Sequence, residues 1–179
     1  MKDIYSHIES HVDESIQQLF ELVRQPSISA QKVGFDKAPG LMKDLLERNG
    51  FEALIIPVPN DGLPTVCGYM AASGNPGTAP TLLFYCHYDV QPVDPIDLWN
   101  TDPFEPTQIG DRLYGRGMSD DKGNIGARLA AIRAFIAERD GVPCNIKMFC
   151  EGEEESGSIN LPYLIAERGD DFQADACIW

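Results

Sequence analysis

The run from Thr81 to Pro92 (TLLFYCHYDVQP) constrains the fold more than any other stretch of the chain. Leu82 to Cys86 is a continuous apolar run and reads as a strand buried on both faces, the pattern of a sheet covered by helices on either side. Polarity then enters abruptly at His87 and Asp89. Side chains in extended backbone alternate, so these two point the same way at the carboxyl end of the strand. In open α/β sheets that end carries ligands and chemistry. Taken alone, the pair reads more simply as a core histidine followed by a turn aspartate. Two later segments change that balance.

Around this strand the hydrophobic period switches between helix and sheet. Residues 3–24 place Ile4, Ile8, Val12, Ile16, Leu19, Phe20 and Val23 at helical spacing, and Gln25-Pro26 closes that helix. His7 and His11 are four apart, a spacing that can hold a metal on a helix, but they flank the apolar stripe and read as a solvated edge. A second helix is expected from about Lys37 to Arg48, stopped at Gly50. Strands are expected at Phe51–Val58, Thr65–Ala72, Asn145–Cys150 and from Asp175 onward, with a small hairpin about Gly110-Asp111. Ile125, Leu129, Ile132 and Ile136 define a helix after Gly123, and Leu161 to Glu167 a shorter one. Strands alternating with helices predict a single α/β domain: a mixed, largely parallel central sheet flanked by helices.

The charge balance narrows the function. The chain has 28 Asp and Glu against 14 Lys and Arg, a formal net charge of −14. Nucleic acid would be repelled, whereas a cation would be welcome. No run reaches the ~18 apolar residues of a membrane helix, and the amino end lacks the apolar centre of a signal peptide. Five cysteines with no Cys-x-x-Cys spacing read as reduced core thiols, which predicts a cytoplasmic protein without a zinc ribbon.

Three clusters of polar side chains lie where a strand hands over to a loop or helix. They are His87 with Asp89; Asp120 with Asp121; and Glu151, Glu153, Glu154 and Glu155. His87 to Asp120 is 33 residues and Asp120 to Glu155 is 35, each the size of one strand-plus-helix unit. Successive units would therefore deliver one group each to the same edge of the sheet. Singly, Asp120 is a helix cap and the glutamates are a solvated acidic loop. Together, an imidazole and several carboxylates in one crevice repel strongly unless a cation joins them. Nitrogen and oxygen donors without thiolate suit zinc, with manganese or cobalt as alternatives.

Three segments now combine: HYDVQP (87–92), LYGRGMSDDKG (113–123) and EGEEESGS (151–158). In order and spacing they resemble the signatures of the carnosinase, glutamate carboxypeptidase and acetylornithine deacetylase family of di-zinc exopeptidases and amide hydrolases, and most of all its dipeptidase branch. The resemblance implies that His87 binds one metal, that Asp120 bridges two and that Glu155 binds one. It implies that Asp89 holds the His87 ring, and that Glu154 is the general base, taking a proton from water and passing it to the leaving amine. It further implies a cis bond between Asp120 and Asp121. The substrate would be a small peptide or N-acyl amino acid. The family pattern also calls for a further acidic ligand beyond Trp179, a later histidine, and an inserted lid domain that carries dimer contacts. The 179 residues are therefore expected to be the amino-terminal part of a catalytic domain. Such a piece should bind metal weakly, turn over little and self-associate, while its parent would be a homodimer. A non-catalytic metal- or peptide-binding module of the same fold is the alternative.

Overall fold

The carboxyl ends of two neighbouring parallel strands, level with one another, bring two polar turns of this protein together. The computed structural model describes residues 1–179. In chain order the helices are α1 (Lys2–Ser10), α2 (Val12–Arg24), α3 (Ala38–Arg48), α4 (Lys122–Arg139) and α5 (Leu161–Arg168). The strands are β1 (Glu52–Ile56), β2 (Thr65–Met70), β3 (Thr81–His87), β4 (Thr107–Ile109), β5 (Arg112–Tyr114), β6 (Asn145–Glu151) and β7 (Ala176–Ile178). Five of them form one sheet in the order β1-β2-β6-β3-β7, and β4-β5 is the separate hairpin expected about Gly110. β3 pairs in parallel with both β6 and β7; β2 runs antiparallel to β1 and to β6. Hence β2 alone opposes the direction of the other four strands, and the mixed, largely parallel α/β sheet is what the chain forms. None of the helices is long and apolar enough to cross a membrane.

In the β3–β6 ladder Cys86 faces Cys150 and His87 faces Glu151. The turns that follow the two strands, residues 88–91 and 152–155, consequently emerge side by side. The Tyr88 amide continues the pairing, donating to the Glu151 carbonyl at 2.9 Å.

One face of the sheet carries the larger core. Leu22 of α2, Met42, Leu45 and Leu46 of α3, and Ile125, Leu129 and Ile132 of α4 pack there with Val66, Cys86, Ile146, Met148 and Cys150. Each such side chain removed from water contributes roughly 1.5–3 kcal/mol. The opposite face is covered more thinly, by Leu164 of α5 and the Phe172 ring, which meets Phe149 edge-on at 4.8 Å. That asymmetry corrects the expectation for β3. Only Cys86 and His87 are buried; Thr81 to Tyr85 are half-buried, with Leu83 and Tyr85 on the thinly covered face and Phe84 at the margin of the larger core.

The first helix also departs from expectation. It breaks at His11, whose backbone adopts φ −119° and ψ 19°. Ser10 Oγ and His11 Nδ1 both reach the His7 carbonyl, at 2.9 and 2.8 Å, competing locally with the helical ladder. The break re-phases the stripe, so Ile4 is buried while Val12 is 46% exposed. It also lets α1 dock on α4 through Arg139 to Asp3 at 2.7 Å and His7 to Glu138 at 3.0 Å. His7 and His11 stack ring on ring at 4.1 Å.

Candidate metal centre

His87 is the last residue of β3 and its side chain is held on every side. Its amide donates to Asp121 Oδ2 at 3.1 Å, and its Nδ1 lies 3.1 Å from the carbonyl of Asp89 and 3.4 Å from Asp89 Oδ1. The carbonyl is the nearer acceptor, and with Nδ1 engaged behind the ring, Nε2 is the atom that faces outward. Nε2 lies 3.0 Å from Asp120 Oδ1 and 3.7 Å from Glu154 Oε2.

The Asp89 carboxylate is fully buried and reaches across to the neighbouring turn. Its Oδ1 accepts the Glu154 amide at 3.2 Å and its Oδ2 the Glu155 amide at 2.9 Å. It thereby fixes the short 3₁₀ turn that carries both glutamates. Its backbone is anchored in turn: Ser27 Oγ donates to the Tyr88 carbonyl at 2.6 Å, and the Val90 amide donates to the Ser27 carbonyl at 2.9 Å.

The loop before α4 delivers Asp120. The bond from Asp120 to Asp121 is cis. The two aspartates divide the roles that the sequence left open for Asp120. Asp121 is the residue at the helix cap, buried, accepting from His87 and from Asn124 Nδ2. The Asp120 side chain is 77% exposed and turns toward His87. Two glycines permit the loop its path. Gly117 has φ +79°, and a Cβ at Gly123 would collide with the Met118 carbonyl.

The four glutamates at and just beyond the end of β6 also separate into pairs. Glu151 and Glu153 are buried and turned into the protein: Glu151 Oε2 accepts from Tyr85 at 2.7 Å, and Glu153 accepts from the Leu63 amide at 2.8 Å and from Asn160. Glu154 and Glu155 face the crevice with His87 and Asp120. Glu155 accepts a hydrogen bond from Gln91 Nε2 at 2.7 Å on its Oε2.

His87, Asp120 and Glu155 each offer one ligand atom, and these atoms lie within 4.8 Å of one another. The electrostatics are those of a site short of positive charge. Burial opposes protonation of the His87 ring, but the Asp89 carboxylate beside it, with Asp121 and the Asp89 carbonyl, outweighs burial and raises its pKa to about 10. The Glu154 carboxyl is pushed above its ordinary value by partial burial and by Glu155, Asp89 and Asp120, against the pull of His87. An imidazole among carboxylates, all oxygen and nitrogen donors, fits a divalent cation of the zinc type.

Lys122 falls within the 113–123 segment, but nothing there marks it as the buried cation that it is. Its ammonium donates to the carbonyls of Leu22 and Gln25, both at 2.8 Å, at the carboxyl end of α2. Burial drives its pKa down to about 7, against the attraction of Asp89. It ties the first turn of α4, next to Asp120, to the end of α2.

A family model described as peptidase family M20/M25/M40 matches residues 83–179, and the stretch contains every residue of this crevice. The chain belongs to that family. It is 34% identical over 183 aligned residues to the Beta-Ala-His dipeptidase of Homo sapiens, covering 96% of this chain and 36% of that protein. It is 32% identical over 162 residues to the succinyl-diaminopimelate desuccinylase of Delftia acidovorans, covering 88% of this chain and 41% of that one. Among solved structures, an M20 family metallo-carboxypeptidase from Sulfolobus solfataricus superposes with a TM-score of 0.84 at 38% identity, over 92% of this chain and 36% of that chain. The chain thus spans 36–41% of the length of these three relatives.

Proposed function

We propose that these residues form part of the active centre of a metal-dependent hydrolase that cleaves the amide bond of a dipeptide or N-acyl amino acid. The observation that carries the proposal is the convergence of His87, Asp120 and Glu155 ligand atoms within 4.8 Å, with Glu154 beside them. His87, Asp120 and Glu155 would hold zinc, two ions in the complete site; manganese and cobalt share the donor preference. A divalent ion held there supplies Lewis-acid polarisation of a carbonyl and acidifies water. Glu154 acts as the general base: its carboxylate removes a proton from water and returns it to the leaving nitrogen. Its raised pKa moves it toward neutrality, where a base both accepts and releases a proton readily. Asp89 keeps His87, Glu154 and Glu155 in one arrangement.

Names of relatives support the substrate class. Beta-Ala-His dipeptidase, the Cys-Gly metallodipeptidase of Saccharomyces cerevisiae and succinyl-diaminopimelate desuccinylase all act on small amides by their names. Thiols at Cys67, Cys86 and Cys150, buried within strands, support a reducing, cytoplasmic setting. Assembly as a homodimer belongs to the same proposal.

Two measurements test the reading. Zinc should bind the chain, and His87→Ala should abolish that binding; a diffuse acidic surface would hardly notice the change. In a polypeptide carrying this chain at the full length of its relatives, Glu154→Gln should keep zinc and lose about 10²–10⁴-fold in dipeptide hydrolysis. Equal rates would overturn the base assignment and leave a binding module.

A further inference from the structure

We infer that Gln91 is a positioning residue for the metal ligand Glu155, holding one oxygen of its carboxylate so that the other is presented to the ion. The inference rests on the metal-centre reading above. Gln91 Nε2 donates to Glu155 Oε2 at 2.7 Å and to the Glu155 backbone carbonyl at 3.1 Å. The pair of contacts fixes both the turn and the side chain that leaves it. No protein group donates to Glu155 Oε1, so the two oxygens of the carboxylate are unlike: one is held by an amide and one is free.

The stem that carries Gln91 is itself anchored on both sides. The Val90 amide is bonded to the Ser27 carbonyl at 2.9 Å, and Arg116 Nη2 donates to the Pro92 carbonyl at 3.0 Å. The Arg116 guanidinium lies 5.1 Å from the centre of the Trp99 ring, which limits its own freedom. Gln91 therefore acts from a fixed base, although its own side chain is exposed.

The chemistry favours an amide at this position. A carboxylate has two equivalent oxygens and free rotation about its terminal torsion, so an unrestrained Glu155 would exchange them and would also turn away from Asp120. A neutral NH₂ donor orients it without competing with the cation for the carboxylate, as a lysine ammonium at the same place would. Partners of this kind, which bond to a ligand rather than to the metal, typically change metal affinity by 10–100-fold when removed.

The test is zinc affinity, measured by competition with a coloured chelator, on the chain and on Gln91→Ala, Gln91→Glu and His87→Ala. Gln91→Ala should weaken zinc by at least about tenfold, in the range set by such partners. Gln91→Glu retains the length but replaces the donor with a second carboxylate, so it should not restore affinity. The metal-free Gln91→Ala and parent proteins should melt at nearly the same temperature, because the Gln91 side chain is exposed and water can take over its two hydrogen bonds. Unchanged zinc affinity in Gln91→Ala would overturn the inference, as would a lower melting temperature of the metal-free variant. If His87→Ala binds zinc as the parent does, it is the metal centre itself that fails.

Discussion

The carboxylate of Asp89 accepts the backbone N–H of Glu155 at 2.9 Å, across 66 residues of sequence. The same carboxylate accepts the Glu154 amide at 3.2 Å, and its own main chain holds the His87 ring. One buried acid thus fixes three of the groups that meet at the crevice. An anion with two amide donors is well satisfied, and hydrogen bonds to a charged group contribute roughly 1.5–3 kcal/mol each when the alternative is an orphaned donor.

Asp89→Asn is the sharpest test of that arrangement. The new NH₂ must face one of the two amides, donor against donor. Urea unfolding should show a loss of about 2–3 kcal/mol. Zinc affinity should fall by about 10–100-fold, since the Glu155 amide loses its anchor and the His87 ring loses the negative charge beside it. A variant as stable as the parent would mean that the turn holds itself.

The pH dependence of the metal-free chain follows from His87, whose folded pKa is raised to about 10. A proton kept by the folded chain and released by the unfolded one favours folding. That contribution is complete below the unfolded value near 6.5 and disappears as pH rises through about 10. The slope is at most about 1.4 kcal/mol per pH unit for one proton. Lys122 acts in the opposite sense, since its folded value falls to about 7 and the folded chain gives up its proton first. Comparing wild type with His87→Gln at pH 6, 8 and 10 isolates the imidazole: the stability gap should narrow as pH rises. Zinc, which needs the neutral ring, should bind more tightly over the same interval.

Much of this is legible in the sequence. The apolar run ending at His87, the 33- and 35-residue offsets and the helix after Gly123 locate the crevice, because sheet topology converts chain spacing into position. What could not be read was the direction of individual side chains in turns. Nothing in EGEEES says that Glu151 and Glu153 turn inward while Glu154 and Glu155 turn out; that division follows from contacts with Tyr85, Leu63 and Asn160, each far away in sequence. Gln91 and Lys122 lie within the quoted segments, but their partners are not legible there for the same reason. Their partners are carbonyls and a carboxylate supplied by other elements. The break at His11 was hidden because its cause is a local competition for the His7 carbonyl, which leaves the hydrophobic period intact.

Lys122→Met tests the tie between α2 and α4. The methionine fills much of the same space but leaves the Leu22 and Gln25 carbonyls without their donor. Burying the uncharged side chain is easier than burying an ammonium, which offsets part of the loss. The net expectation is a destabilisation of about 2 kcal/mol in urea unfolding. The pH dependence between about 7 and 10.5, where wild-type stability gains from the early release of this proton, should be altered as well.

Glu153 and Glu155 are two residues apart, yet exchanging either for glutamine should give opposite results. The Glu153 carboxylate is 7% exposed and accepts from the Leu63 amide, the Asn160 amide and Asn160 Nδ2. Glutamine there turns one acceptor into a donor facing buried donors, so stability should fall by about 2 kcal/mol. Its oxygens do not reach the crevice, so zinc affinity should be kept. At Glu155 the side chain accepts a hydrogen bond only from Gln91, and the carboxylate stands near those of Asp120 and Glu154. Glu155→Gln removes a repelling charge and an anionic ligand together. It should leave the metal-free protein as stable as the parent or slightly more so, and should lose zinc. Unfolding curves and zinc titrations on the same two proteins read both quantities. A loss of zinc in both variants with equal loss of stability would mean that the turn responds as a unit and that its glutamates do not divide the work.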